Sequence, residues 1–242
     1  MPATTTINAT YQGYVLKATS ETKAFDWVTA IRNGTTGTSN ATYTSNALDD
    51  SAVWAYYFFN SKTSAYVGGC SRTFLFFDVS SITGSNTITN AELRVLGYST
   101  STGDVIPVLS SAWGGDGSTT TLANADYDNV TQATTYSSAI TSWNTSSYNT
   151  FTLNASAISA MNSNEYFNVA LINDTYDQGA SNPSGDFQNG VEFLDGTSNI
   201  QLYITYGATG GYGNDVNGVT SSDIVSVKGV ATADIVNIIG AS

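Results

Sequence analysis

The sequence predicts an all-β protein, an antiparallel β-sandwich with one or two short helices and a small C-terminal repeat appendage. Ser, Thr and Asn make up roughly a third of its 242 residues, against a typical share nearer a fifth. Aromatic residues account for 12% of the chain, and proline occurs only 3 times. Apolar residues recur mostly with a period of two, and helix signals are few. Together these observations indicate pleated sheets with a hydroxyl-rich outer face.

The strands are predicted from this periodicity. Residues 200–206 alternate apolar and polar side chains, so one face of that strand is buried and the other is wet. Residues 72–79 are almost continuously apolar, which predicts a central strand buried on both faces. Pro107 is expected at an edge or a bulge, because proline cannot donate a hydrogen bond to a neighbouring strand. The predicted strands are residues 53–59, 72–79, 91–95, 105–109, 166–172, 191–194 and 200–206.

Two short helical segments are predicted. Asn154 can cap a helix over residues 155–161, in which Ile158 and Met161 face inward at i and i+3. Residues 137–143 are the second candidate, as a single helical turn. Several short strands with so little helix favour a sandwich.

The composition divides the chain into three parts: a sandwich domain over residues 1–206, a Gly-rich linker over 207–215, and a tail over 216–242. In the tail, residues 216–226 align with residues 227–237 as an eleven-residue repeat, and a third copy begins at Ile238. So short a unit cannot bury its Val and Ile side chains alone, which predicts packing on its own domain, on other copies or on a partner. The residues expected to anchor or oligomerise the chain are Val216, Val219, Ile224, Val227, Val230, Ile235, Ile238 and Ile239.

The charge and residue counts exclude several classes of function. With 7 Lys and Arg against 19 Asp and Glu, the formal net charge is −12, which makes a poor binder of nucleic acid or of an anionic membrane. Histidine is absent, so a His-based catalytic triad and a His-ligated metal cannot exist here. The single cysteine, Cys70, permits neither an internal disulfide nor a thiolate zinc cluster.

No catalytic motif is present: the sequence contains no Gly-x-Ser-x-Gly elbow, phosphate-binding loop or EF-hand spacing. We therefore expect no catalytic residue and no cofactor. Structural calcium stays open, because oxygen-rich loops in acidic sandwiches can hold it. The candidate ligands are Asp116 with Asp126 and Asp128, or Asp174 with Asp177. The alternative, which we favour, is that these side chains form Asx turns with their own backbone.

Carbohydrate stacking needs exposed flat aromatic rings. The obvious candidates are the four Trp residues, with Tyr56 and Tyr57, and among them Trp54 and Trp113 are chosen for this role. The alternative is that each belongs to the core or its rim, where large aromatic side chains are usually found.

Two stretches carry a family resemblance. Residues 71–82 (Ser-Arg-Thr-Phe-Leu-Phe-Phe-Asp-Val-Ser-Ser-Ile) and, after a short Gly/Ser loop, residues 88–95 (Ile-Thr-Asn-Ala-Glu-Leu-Arg-Val) resemble the DNRLRE domain. That family is similar to the jelly rolls of carbohydrate-binding modules, found beside polysaccharide-active enzymes and in surface proteins. The resemblance implies a jelly-roll sandwich and extends loosely over residues 14–206.

The tail carries a second resemblance. Its repeat, with Asp-Ile-Val-Ser-Val-Lys-Gly-Val-Ala-Thr-Ala-Asp-Ile and a closing Ile-Ile-Gly, resembles C-terminal tails of tailed-bacteriophage virion proteins. The N-terminus has neither a basic start nor an apolar stretch, so no secretory signal is expected. These features imply a virion component made in the host cytoplasm.

The resulting hypothesis is a non-enzymatic structural protein on the particle exterior, as a head decoration, head fibre or tail-associated module. Its expected partners are other virion proteins and copies of itself in a homo-oligomer, with no nucleic acid and no membrane. The alternative is a carbohydrate-binding module that recognises cell-surface glycans, which could serve host attachment. An enzyme acting on glycans is the third hypothesis and the weakest, because no acid–base pair can be assembled.

Overall fold

The structure, a computed structural model, describes residues 2–43, 50–84, 86–194, 198–208, 226–227 and 230–231. It confirms an all-β antiparallel sandwich with short helices. The strands of the sandwich are β1 (Ala3–Asn8), β2 (Tyr11–Glu21), β3 (Ser39–Tyr43), β4 (Asp50–Asn60), β5 (Ala65–Asp78), β6 (Asn86–Ser101), β7 (Val105–Ser110), β8 (Val130–Thr135), β9 (Tyr148–Thr152), β10 (Tyr166–Asn173), β11 (Phe187–Leu194) and β12 (Ile200–Ala208). The helices are α1 (Ser80–Thr83) and α2 (Ala155–Ser163).

Two long strands organise the sheets. β6 pairs with β12 and β9 through its first part and with β11 through its last residues, so it belongs to both layers of the sandwich. β5 pairs with β2 along one side, and along the other side with β4 and then with β10. β7 and β8 extend the sheet beyond β10, β3 pairs with β2, and β1 adds to the outer side of β12. Every pairing among these strands of the sandwich is antiparallel, as predicted.

β5 is buried on both faces, as its nearly continuous apolar sequence predicts. Leu75 and Phe77 point into an inner core between the two layers, where they meet strands β6, β10 and β12. Phe74 and Phe76 point the other way, into an outer core that lies under the loops. Alternate residues of one strand thus fill two separate cores.

The outer core is closed by loops rather than by a third sheet. Three short helical turns contribute to this cover: Val28–Arg32, Asn124–Asp128 and Asp174–Gln178. Trp27 and Trp113 are fully buried beneath it. This loop layer was not predicted from the sequence, since its segments lack a sustained helical or strand period.

Two local predictions can be compared directly with the structure. Asn154 caps α2 as expected, with its side-chain oxygen accepting hydrogen bonds from the backbone N–H groups of Ser156 and Ala157. Pro107 lies one residue before a register shift in the β7–β8 pairing, in keeping with the expected bulge.

The predicted helical turn at residues 137–143 is wrong. Ile140 instead forms an isolated antiparallel bridge with Val105, because its backbone N–H and C=O groups exchange hydrogen bonds with that strand.

The last strand of the sandwich, β12, ends at Ala208. In the tail, β13 (Ser226–Val227) and β14 (Val230–Ala231) pair with each other, with Val227 opposite Val230. The other predicted anchoring residues lie outside the described residues: Val216, Val219, Ile224, Ile235, Ile238 and Ile239.

Candidate functional site

The guanidinium of Arg72 lies in the outer core, and Arg72 has 1% of its surface exposed. It forms a bidentate ion pair with Asp177, with Nε and Nη2 at 2.8 and 2.7 Å from the carboxylate oxygens. Its Nη1 also donates to the carbonyl of Tyr127, and Nη2 donates to the carbonyl of Arg32. One side chain therefore joins β5 to all three helical turns of the loop layer.

Asp177 is equally enclosed. It is fully buried and also accepts hydrogen bonds from Gln132 and, at 3.6 Å, from the thiol of Cys70. Burial alone would lower the pKa of Arg72, but the adjacent carboxylate raises it above its ordinary value. Burial, together with the negative charge of Asp177, raises the pKa of the Cys70 thiol well above its usual value. These groups hold the fold and do not meet solvent.

The candidate calcium ligands are engaged in local hydrogen bonds. Asp126 accepts from the backbone N–H of Ala123, and Asp116 accepts from that of Ser118. Both carboxylate oxygens of Asp177 accept hydrogen bonds from Arg72. The favoured alternative of local turns therefore describes Asp116 and Asp126, while Asp177 serves as an ion-pair partner. Among the residues that the structure describes, no three or more Asp, Glu or Cys side chains form a potential metal site.

The two tryptophan candidates for carbohydrate stacking lie in different environments. Trp113 is fully buried, with its ring 5.5 Å from that of Tyr11, so the proposal that it stacks on a sugar is wrong for this structure. Its backbone lies in the left-handed region, with φ +61. Trp54 is only partly buried and lies in the middle of β4.

Trp54, Tyr56 and Phe58 form what we call the aromatic platform. They occupy alternate positions of β4, so they project from the same face of the sheet. The rings of Tyr56 and Phe58 are 6.0 Å apart, and Phe58 is 38% exposed. Of these three residues, the sequence points to Trp54 and Tyr56 as stacking candidates but not to Phe58. The alternation of aromatic residues along β4 was visible, but residues 53–59 are apolar on both faces, so the pattern could not say which face is open.

Glycines on the neighbouring strands make room for these rings. Trp54 lies over Gly190 of β11, where an added Cβ atom would come within 2.4 Å of Cε3. Tyr56 lies over Gly69 of β5, where an added Cβ atom would come within 2.4 Å of Cζ. The two rings thus rest on backbone rather than on other side chains, which spreads the aromatic platform across three strands.

A second surface feature is a groove beside the end of β5, with a volume of about 300 Å³. Three rings line it in a row: Phe76 is 5.7 Å from Tyr11 and 5.5 Å from Tyr166, centroid to centroid. An adjoining hollow of about 500 Å³ shares Tyr166 with it. The carboxylates in the groove belong to Asp78, Asp116 and Glu165.

These carboxylates are partly committed to local structure. Asp78 accepts hydrogen bonds from the backbone N–H and the hydroxyl of Ser80, as Asp116 does from the backbone N–H of Ser118. The bonds from Ser118 hold the pKa of Asp116 below its ordinary value. The groove thus presents anionic groups and aromatic edges, without a cluster that could hold a metal ion.

No protein-family model matches this chain, and no curated protein matches it. The described residues include no helix that is long and apolar enough to cross a membrane.

Proposed function

We propose that this chain is a non-enzymatic structural protein on the exterior of a virus particle, as a head decoration, head fibre or tail-associated module. It acts by protein–protein assembly, with other virion proteins and copies of itself as partners. The observation that carries the proposal is the set of hydrogen bonds from the buried Arg72 side chain, which hold three loops on the sandwich. The buried charged groups thus hold loops onto the sandwich, which is consistent with a structural role.

We propose a non-enzymatic role because the most enclosed titratable side chains are not accessible to a substrate. Asp177, Cys70 and Tyr127 are the described titratable groups most enclosed by the fold, and each has 0% of its surface exposed. A substrate cannot reach them without opening the loop layer. Two exposed carboxylates of the groove, those of Asp78 and Asp116, make local turn hydrogen bonds, which favours a structural role for them.

The test is incorporation into particles. The full chain is compared with a chain truncated after Ala208, which keeps every strand of the described sandwich. We expect the full chain to sediment with purified particles and the truncated chain to stay in the supernatant. Circular dichroism and thermal unfolding serve as the control that both chains fold alike.

Two outcomes would contradict the proposal. Equal incorporation of the truncated chain would remove the anchoring role of the tail. Absence of the full chain from purified particles, checked by immunogold labelling, would overturn the assignment to a particle exterior.

Recognition of neutral glycans is the second candidate, and the aromatic platform favours it. Trp54 and Tyr56 are partly exposed on the same face of β4 as Phe58, so together they offer ring surface to solvent. Exposed aromatic surface beside polar groups is typical of recognition sites. Such binding is compatible with a place on a particle exterior, where it could serve attachment to a cell.

A further inference from the structure

We infer that the aromatic platform binds an extended, neutral polysaccharide whose sugar rings present flat C–H faces to Trp54, Tyr56 and Phe58. The inference rests on glycan recognition, the second candidate function above, and names its ligand class and its site.

The orientation of the rings is set before any ligand arrives. Gly190 and Gly69 have no side chains, so the rings of Trp54 and Tyr56 fill the space over their backbones. No side chain of these two neighbouring residues competes with the rings for that space. A surface fixed in advance loses little conformational entropy on binding. It therefore suits a ligand that lies flat upon it.

The spacing favours a chain over a single sugar. Alternate residues along a strand are about 6.7 Å apart, so the three positions cover about 13 Å. Trp54 leans towards β11 and Tyr56 towards β5, which widens the contact across the strand direction. A ligand that touches all three rings must be elongated and carry more than one sugar ring.

The charges around the aromatic platform favour a neutral ligand. On β5 its strand partners are Ser71, Gly69 and Val67, and on β11 they are Gly190 and Gln188. None of these strand partners carries a charge. Asp186, just before β11, and Glu192, two residues beyond Gly190, are anionic, and the chain as a whole has a net charge of −12, so anionic polymers are repelled. Aromatic faces carry partial negative charge, which attracts weakly positive C–H groups.

Polar groups at the rim can bind sugar hydroxyls. Gln188 is exposed opposite Tyr56 and offers both an amide donor and an acceptor. Asp186 is exposed near the far end of β4, where it accepts a hydrogen bond from the backbone N–H of Phe59. Flat aromatic surface with a few polar groups beside it is the usual composition of a ligand site.

A second copy of the chain is a poorer occupant. Three fully exposed aromatic side chains would offer about 600 Å² of surface. A stable protein interface buries about 800 Å² on each partner, and the rings of the aromatic platform are already partly buried. The contact would be too small to hold a dimer by itself.

The experiment uses the full chain and two kinds of polymer. Retention is measured by depletion from solution on insoluble cellulose and chitin, and by affinity electrophoresis in soluble neutral β-glucans and in anionic alginate. We expect retention by at least one neutral polymer and none by alginate. Trp54→Ala should weaken binding at least about tenfold, as truncation of a central aromatic anchor does.

The matched control is Phe59→Ala. Phe59 is 45% exposed and follows Phe58 directly, but it points to the opposite face of β4, where its ring packs beside Tyr66. Phe58→Ala is the second test variant, since its ring is exposed enough to be removed without unfolding the chain. We expect Phe58→Ala to weaken binding and Phe59→Ala to leave it unchanged.

Each failure has a distinct meaning. Unchanged binding in Trp54→Ala and Phe58→Ala would overturn the site while leaving glycan recognition standing, with the acidic groove as the next place to test. Absence of binding to every neutral polymer would overturn both the inference and that candidate function. The oligomeric state of Trp54→Ala and Phe58→Ala is measured by light scattering. If these variants change oligomeric state but keep their polysaccharide binding, the aromatic platform is a contact between copies of the chain. None of these results bears on incorporation into particles.

Discussion

Replacing Arg72 by Met should destabilise the protein far more than a surface substitution of the same kind. Arg72→Met leaves the Asp177 carboxylate fully buried without its cation, and it removes the donors that the carbonyls of Arg32 and Tyr127 now use. Methionine fills part of the vacated volume, so the change tests mainly the loss of charge and hydrogen bonding.

The expected loss of stability in Arg72→Met follows from the burial of the Arg72–Asp177 ion pair. Both side chains are 1% exposed or less, and breaking such a pair by removing one partner costs about 3–5 kcal/mol. At about 2–4 °C per kcal/mol for a domain of this size, the melting temperature should fall by about 6–20 °C. Arg94 provides the matched control, because its 2.6 Å pair with Glu92 is about a third exposed. Arg94→Met should cost at most about 1 kcal/mol.

Urea unfolding followed by tryptophan fluorescence measures both effects, since Trp27 and Trp113 are fully buried and report on the outer core. The double variant Arg72→Met/Asp177→Leu should be more stable than the sum of its single variants predicts, because no unpaired charge remains. A loss for Arg72→Met no larger than that for Arg94→Met would refute the argument that this ion pair secures the loop layer.

Three further outcomes are expected. Cys70 has 0% of its surface exposed, and the pKa of its thiol is raised. It should therefore resist thiol reagents in the native state and react with them on unfolding. Rapid labelling in native buffer would contradict its burial. Burial raises the pKa of Tyr136 to about 12 from 10.0, so the neutral side chain contributes stability that is full below pH 10 and is lost as the pH rises towards 12. Urea midpoints that stay constant from pH 10 to pH 12 would contradict this contribution. Asn154→Ala should lower the free energy of unfolding by about 1 kcal/mol through loss of the α2 cap, measurable by urea unfolding, with no change expected if the cap is not formed in solution.

The elements predicted well are those whose signal is local. The apolar run at residues 72–79 lies within β5 except for its last residue, and the strand predicted at residues 166–172 matches β10, which starts at the same residue. The start of α2 follows from Asn154, because a cap acts on N–H groups only two and three residues away. In each case the deciding interactions lie within the segment itself.

The candidate sites depended on contacts between distant segments. The sequence predicts Arg72 as the first residue of a strand, but its partner Asp177 is 105 residues further along the chain. The sequence gives no reason to prefer Trp54 over Trp113 as an exposed ring. Only the packing of the loop layer shows that Trp113 is buried and that Trp54 is partly exposed. Gly190 opposite Trp54 could have been recognised only once the register of β4 and β11 was known.

The pairing of β1 with β12 has a practical consequence for protein engineering. Ala3 lies opposite Tyr206, so the start of β1 and the end of β12 are close together. A short peptide could join these ends, and new termini could be opened in the turn between Asn60 and Ala65, giving a circular permutant with the same strands. In such a permutant a cargo fused to either terminus would be attached at the β4–β5 turn instead of at the ends of β1 and β12.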